Sequence, residues 1–216
     1  MNIVDSIHFD INQIIGRKTK LFRDIAKKYK KEINKWDIQD IYRLCELLLE
    51  SNLRAKEIIA YQIMFDNKHK YNEKTFDVFE SWLFKYIKDW WDCDDFMTHA
   101  FQFVLMKYPE NIDRLTKWMM HERFAVRRSA PVILIVPARK ALLDIDVILS
   151  TCDRVIKDEH YLVQKGYGWL LKESVKMYKG NIVEFLEKHV NSMSRTAFRY
   201  ALEKLPKEEK ERLMKL

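Results

Sequence analysis

Glycine is scarce in this chain, and that scarcity constrains the fold more than any other feature. Only 4 of the 216 residues are glycine, and only 4 are proline. Tight hairpin turns, strand-to-helix loops and phosphate-binding loops all use glycine, because it adopts backbone conformations with positive φ. A β-sandwich, a β-barrel or a nucleotide-binding α/β fold is therefore disfavoured. The abundance of leucine, isoleucine, lysine and glutamate favours helices instead.

Apolar residues recur every three or four positions almost throughout the chain, which is the pattern of amphipathic helices. After Asp37, a good helix cap, Ile38, Ile41 and Leu48 fall on one face, and a second helix follows Ser51. We predict an all-α fold, a single domain over residues 1–216, in which antiparallel helix pairs repeat every 35 to 45 residues or so and stack as a curved right-handed solenoid of HEAT-like repeats. A compact helical bundle is the alternative. The remaining predicted helices cover residues 73–88, 94–107, 110–120, 123–137, 144–157, 159–178, 181–190 and 195–205.

Charge and cysteine content narrow the class of partner and the location. The 39 lysines and arginines against 32 acidic residues give a formal charge of +7. This balance suits a polyanion such as DNA, because neutralising phosphates drives sequence-independent binding. The three cysteines show no paired spacing, which is typical of reduced thiols. No signal-peptide pattern and no long apolar run is present, so we expect a cytoplasmic protein without membrane contact.

The stretch KDWWDCDDF concentrates two tryptophans and four aspartates in a basic chain. An acidic first helical turn explains one or two of these aspartates through the helix dipole, but it does not explain the paired tryptophans. At helical spacing Trp90 and Asp94 share a face, and so do Trp91 and Asp95. An indole face and a carboxylate both attract positive charge. Either pair therefore predicts a site for a cationic group.

Later segments carry basic residues that could contact a polyanion. In RFAVRRSAPVIL, Arg128 could face a groove, although a solvated arginine pair on a core helix is the common alternative. In SRTAFRY, Ser194 is a predicted cap, and Arg195 and Arg199 share a face that could contact phosphates. An ordinary exposed basic face is the alternative there. Asp95 could also bind a metal ion with the histidine four residues on, but two ligands do not make a site, so no metal is predicted.

Two of the four glycines fall in the helical segment YLVQKGYGWLLKE. Each glycine inside a helix costs about 1 kcal/mol relative to alanine. Gly166 and Gly168 therefore indicate close packing of another helix or close approach of a ligand. Trp169 follows directly, either as a core residue or as a ligand contact.

In this order, the segments resemble the bacterial DNA alkylation-repair glycosylases built from HEAT-like repeats. WWDCD resembles the aromatic–Asp signature of that family, RRSA resembles its Arg-Arg-x-Ala helix, and SRTAFR resembles its Ser-Arg-x-x-x-Arg ending. VQKGYGWLLKE is the most specific match. The resemblance to the opening helix of the family is carried by Gly16, Leu21, Arg23, Ala26 and Lys27.

The resemblance implies an enzyme that excises cationic alkylated purines, of the 3-methyladenine and 7-methylguanine type, from duplex DNA in base excision repair. It implies that Asp94 is catalytic, with Asp95 as the alternative because the doubled acids leave the register open. A monomer suffices, and no metal or other cofactor is needed. Some members of the superfamily bind DNA without excising bases, so a non-catalytic protein selective for branched or distorted DNA is a second interpretation, and a protein-interaction scaffold is a third. The expected DNA contacts are Trp90 and Trp169 beside the sugar and backbone of the damaged nucleotide, Arg128 on a flanking phosphate, and Lys165, Arg195 and Arg199 on further phosphates.

Overall fold

The computed structural model describes residues 2–16 and 18–216, and all regular secondary structure in these ranges is helical. The predicted all-α class is therefore confirmed. Short 3₁₀ turns occupy Lys68–Lys70, Pro109–Arg114 and Leu202–Lys204, and a π-helical turn occupies Phe96–Phe101. The α-helices are α1 Ile3–Asn12, α2 Thr19–Ile33, α3 Ile38–Leu49, α4 Arg54–Asp66, α5 Lys74–Tyr86, α6 Trp90–Asp95, α7 Gln102–Lys107, α8 Leu115–Met119, α9 Phe124–Arg139, α10 Ile145–Arg154, α11 Tyr161–His189, α12 Arg195–Ala201 and α13 Lys207–Leu213.

Short polar side chains set the starts of several helices. The predicted caps Asp37 and Ser194 each accept a hydrogen bond from a backbone amide in the first turn of α3 and α12, and Asp144 does the same for α10. These bonds satisfy amides that have no partner within the helix. Gly16, at φ 115°, provides the turn before α2, in a conformation that other residues rarely adopt.

Several helix boundaries differ from the prediction. The helix expected from residue 94 begins at Trp90, because the side chain of Asp89 caps it. The segment 110–120 divides into a 3₁₀ turn and the short helix α8. The two helices expected on either side of Gly180 are both present and are numbered together as α11; the kink between them lies at Tyr178 (φ −132°, ψ 37°), two residues before the expected break. The hydroxyl of Tyr178 donates to the carbonyl of Leu143 (2.7 Å), which ties this interruption to the preceding loop.

The described chain forms two compact units, and the prediction of a single domain stays a prediction. The first unit contains the chain up to Ile87 together with His99–Tyr108. In it α4 packs against α2 and α3, around buried aromatic side chains. The Phe79 ring lies 5.2 Å from that of Trp82 and 5.3 Å from that of Phe101, measured between centroids.

The second unit contains Lys88–Thr98 and Pro109–Leu216. Its centre is α9, whose apolar residues from Val132 to Ile135 are fully buried. Helix α11 packs along α9 and α12, while α6 and α8 pack on α9. Apolar burial is the main stabilising term of such a unit. This packing brings together α6, α9 and α11, the three helices that carry the tryptophan–aspartate stretch, the arginine pair and the two internal glycines.

Within each unit, side-chain hydrogen bonds join residues at a recurring separation. Trp82 donates to Glu46 (3.0 Å) across 36 positions, Arg139 donates to Glu173 (2.9 Å) across 34, and the bond from Tyr178 spans 35. The recurrence agrees with a repeat at the short end of the predicted range. The three cysteines are buried and free. Among residues 2–16 and 18–216, no helix combines the length and apolar character that a bilayer crossing requires.

Candidate active site

The start of α6 uses two of the four aspartates for structure. The carboxylate of Asp89 accepts from the amide of Trp90 (2.7 Å), and Asp92 Oδ1 accepts in return from the amide of Asp89 (2.9 Å). Asp92 Oδ2 also accepts from the amide of Lys88 (2.7 Å). Burial raises the pKa of Asp92 to about 6, although these amide donors favour its ionised form. This reciprocal capping fixes the direction of α6, and so the position of Asp94 one turn later.

Asp94 forms a two-pronged ion pair with Arg128 of α9. Arg128 Nε donates to Asp94 Oδ1 (2.8 Å), and Arg128 Nη2 donates to Asp94 Oδ2 (2.8 Å). Arg128 Nη1 donates to the carbonyl of Leu162. The Arg128 residue is only 5% exposed. Burial opposes its charge, but the hydrogen bonds and charge of Asp94 prevail and raise the pKa of Arg128.

The glycines of α11 explain how its neighbours approach so closely. A Cβ on Gly166 would lie 3.3 Å from Cγ of Arg128 and 3.5 Å from Cγ of Pro131. A Cβ on Gly168 would lie 2.9 Å from the carbonyl oxygen of Ala197, closer than such atoms approach. Both glycines therefore serve helix packing, which was one of the two predicted alternatives. Gly166 leaves room for the Arg128 side chain that holds Asp94.

A cleft of about 380 Å³ opens in front of this ion pair. Five of the predicted site residues meet in it, whereas Trp91 and Asp95 do not line it. Trp90 is 48% exposed, so its indole is available to a ligand. The structure thus brings the Trp90–Asp94 pair, and not the Trp91–Asp95 pair, to the cleft. The lining residues are Trp90, Asp94, Arg128, Tyr161, Leu162, Lys165, Trp169 and Tyr200.

Glu173 holds the indole of Trp169 in the cleft wall. Its Oε1 accepts from Trp169 Nε1 (3.3 Å), and its Oε2 accepts from Arg139 (2.9 Å) and Lys204 (2.5 Å). Glu173 is buried, and burial acts to raise its pKa, but the two cations prevail and lower it. The sequence pattern included this glutamate without giving it a function. In the structure it is one turn from Trp169 and fixes the ring.

The aromatic side chains Tyr161 and Tyr200 were not predicted as site residues. Tyr161, Lys165 and Trp169 are spaced by four residues, so they lie along one face of α11. That spacing is the signal that could have identified Tyr161. Tyr200 is on α12, where only the arginines had been selected, and its ring lies 4.3 Å from Lys172 Nζ.

Two predicted arginines of α12 lie outside this cleft. Arg199 lines a neighbouring cavity of about 490 Å³, which shares Lys165 and Tyr200 with the cleft. Arg195 is exposed, with its guanidinium 5.4 Å from the ring centroid of Phe198. Both side chains are accessible to a polyanion, and their roles stay predictions.

Arg127, the other member of the arginine pair, has a structural position. Its Nε donates to Asp158 (2.6 Å), and its Nη1 donates to the carbonyls of His121 (2.8 Å) and Glu122 (2.7 Å).

His99, which was weighed as a metal ligand, has contacts within the first unit. Its Nε2 lies 3.0 Å from the side-chain oxygen of Gln62, and its ring stacks on that of Phe65. Within residues 2–16 and 18–216, no cluster of three His, Cys, Asp or Glu side chains could hold a metal ion.

Comparison with known proteins supplies the family. The model of the family described as DNA alkylation repair enzyme matches residues 5–205. The chain belongs to this family. A solved structure described as a predicted DNA alkylation repair enzyme from Enterococcus faecalis has a similar fold, with a TM-score of 0.78, 17% identity and 94% of each chain covered. No curated protein matches the chain.

Membership of the DNA alkylation repair enzyme family confirms the resemblance found in the sequence. It places the chain among the enzymes of DNA alkylation repair, a family whose partner is DNA. At 17% identity the solved structure extends the similarity of fold only.

Proposed function

We propose that this member of the DNA alkylation repair enzyme family is a DNA glycosylase that hydrolyses the N-glycosidic bond of cationic alkylated purines in duplex DNA, as a step of base excision repair. One observation carries the proposal. The Asp94 carboxylate, held by two hydrogen bonds of 2.8 Å from Arg128, lies in the same cleft as the indoles of Trp90 and Trp169.

The chemistry requires little more than a well-placed negative charge. Alkylation at N3 of adenine or N7 of guanine makes the base cationic, so it can leave without first being protonated. Positive charge then develops on the deoxyribose as the bond breaks. Asp94 stabilises that charge and orients the attacking water, because a preorganised group acts most strongly where charge develops. Trp90 and Trp169 offer π-faces to the same cation.

Arg128 has a different function in this proposal from the phosphate contact expected from the sequence. The guanidinium bonds both oxygens of Asp94 and the carbonyl of Leu162, and the residue is almost fully buried. It therefore orients the carboxylate. The exposed side chains of Lys165, Arg195 and Arg199 contact backbone phosphates instead.

We further propose that the helix pairs stack as HEAT-like repeats in one domain. The protein is a monomer, and its basic surface binds the duplex. The recurring hydrogen bonds across 34 to 36 positions support a repeat of that length. In a solenoid each repeat contacts its neighbours and adds to an extended binding surface. The predicted cytoplasmic location stays a prediction.

A non-catalytic DNA-binding protein is the second candidate, and one observation favours it. Both oxygens of Asp94 accept from the same guanidinium, as they would in an ion pair that only joins α6 to α9. Such a protein keeps the exposed basic side chains but needs no carboxylate available to a ligand.

Release of free alkylated base from methylated duplex DNA separates the two candidates. We expect release by the wild type, loss of release in Asp94→Asn, and retained release in Asp95→Asn, the matched control one residue away. DNA binding by Asp94→Asn should persist. Loss in Asp95→Asn alone would move the catalytic carboxylate by one position. Absence of release by the wild type, with DNA binding intact, would support the non-catalytic candidate.

A further inference from the structure

A second cavity, the basic pocket, lies beside the cleft. It measures about 490 Å³ and is lined by side chains from α11, α12 and α13. Its three cations are Lys165, Arg199 and Lys210, and Thr196 adds a hydroxyl. Cavities of this size are typical of ligand sites. Lys210 lies beyond residue 205, where the family match ends.

The charge of the basic pocket is positive after its one carboxylate is counted. Glu203 lies in the lining, but it is 2.6 Å from Nζ of Lys172, which does not line the pocket. None of the three pocket cations has a carboxylate within ion-pair distance in the described part of the chain. Their donors are therefore available to an anion from outside.

Helix α13 is held so that Lys210 faces this pocket. Leu213 is fully buried, Glu209 lies 3.2 Å from Lys179, and Arg212 is hydrogen-bonded to Glu187. These contacts anchor α13 on the second half of α11. Lys207, on the same helix, is 88% exposed and does not line the pocket.

We propose that the basic pocket binds a backbone phosphate of the DNA strand, next to the nucleotide that the cleft receives. Lys165 and Tyr200 line both the basic pocket and the cleft, so a phosphate in the basic pocket lies next to a nucleotide in the cleft. Lysine and arginine are the usual donors to DNA phosphates. Lys210 thereby makes α13 part of the DNA-binding surface. The inference rests on the proposed DNA binding and names a new contact within it.

The test is the salt dependence of binding to a fluorescently labelled, undamaged duplex. Each phosphate contact contributes about 0.9 to the slope of log K against log salt concentration. We expect Lys210→Gln to reduce this slope by about 0.9 and to weaken binding about 8-fold at roughly 0.1 M salt. Lys210→Arg should retain the wild-type slope, because it keeps the charge. Lys207→Gln, which removes the same charge from the same helix, should also leave the slope unchanged.

Equal slopes for Lys210→Gln and Lys207→Gln would overturn the inference while leaving the proposed DNA binding intact. Absence of salt-dependent binding by the wild type would overturn the proposed function as well. Equal thermal unfolding midpoints for the two variants and the wild type show that a change in slope comes from the contact and not from unfolding. Base release by Lys207→Gln at the wild-type rate serves as the control that a substitution in α13 leaves the catalytic cleft intact.

Discussion

The charges of Asp94 and Arg128 act on the proposed transition state in opposite directions, which allows their roles to be separated. At an effective dielectric constant of about 20, a carboxylate about 4 Å from the sugar cation stabilises it by about 4 kcal/mol, and a guanidinium about 8 Å away opposes it by about 2 kcal/mol. The wild-type pair therefore contributes about 2 kcal/mol net. In Asp94→Asn only the opposing charge remains.

The expected rates follow from these energies. Asp94→Asn loses about 4 kcal/mol of stabilisation, or about 1,000-fold in rate. The double variant Asp94→Asn with Arg128→Met loses both charges, so it falls only about 30-fold below the wild type. The second substitution should thus restore about 30-fold of the lost rate. Stability should follow the same order, because removing one partner of a buried pair costs about 3–5 kcal/mol, whereas replacing both is often neutral.

Single-turnover excision of alkylated base, with enzyme in excess over methylated duplex, measures this comparison. Urea unfolding of each variant at the assay temperature gives the folded fraction, and rates are corrected for it. A double variant slower than Asp94→Asn would refute the orienting role of Arg128. That result would favour the phosphate contact expected from the sequence, because loss of a contact adds to the defect.

Three further predictions concern other features of the two units. Glu173→Gln should slow excision by releasing the Trp169 indole, and it should add nothing in a Trp169→Phe background; additive effects in this double-mutant cycle would contradict the link. Gly168→Ala should lower the unfolding free energy by about 1–3 kcal/mol, because the new Cβ clashes with the backbone of Ala197. Gly180→Ala should raise the unfolding free energy by about 0.5–1 kcal/mol, because the space around its Cβ is open. Urea denaturation measures both variants, and equal effects would contradict the packing argument. Burial lowers the pKa of His99 to about 4, so between about pH 6.5 and pH 4 the unfolded chain binds a proton that the folded protein does not. We therefore expect the unfolding free energy to fall by about 2 kcal/mol, a value reduced for the partial exposure of His99, as the pH is lowered through this range. His99→Gln should flatten this part of the curve of unfolding free energy against pH.

Local features of the candidate site were accessible from the sequence, but its tertiary contacts were not. The spacing of Trp90 and Asp94 predicts a shared helix face, and the structure places both in one cleft. The pairing of Asp94 with Arg128 joins residues 34 positions apart on two helices. Helix periodicity says which faces are apolar, but not which polar residues meet when those faces pack. The function of Arg128 therefore required the structure.

The two internal glycines illustrate the same limit. Because glycine destabilises a helix, its presence indicates that another group packs closely against the helix at that position. The sequence does not say whether that group is a side chain, a backbone or a ligand, since each can occupy the space that a missing Cβ leaves. At Gly168 the neighbour is the backbone at Ala197, and at Gly166 it is Arg128. The kink between the two helices of α11 is a comparable case. Gly180 indicates a weak point, while the actual departure from helical geometry occurs at Tyr178.

The recurring hydrogen bonds also bear on how the chain assembles during synthesis. A bond across about 36 positions becomes possible roughly 2 to 7 s after its first partner is made, at a synthesis rate of about 5–20 residues per second. Helices near the N-terminus can therefore associate while later ones are still being made. Glu173 receives its bond from Lys204 only after the 31 residues that follow Glu173 have been made. The wall that carries Trp169 is thus completed later than the Asp94–Arg128 ion pair, whose two partners are both made before Trp169.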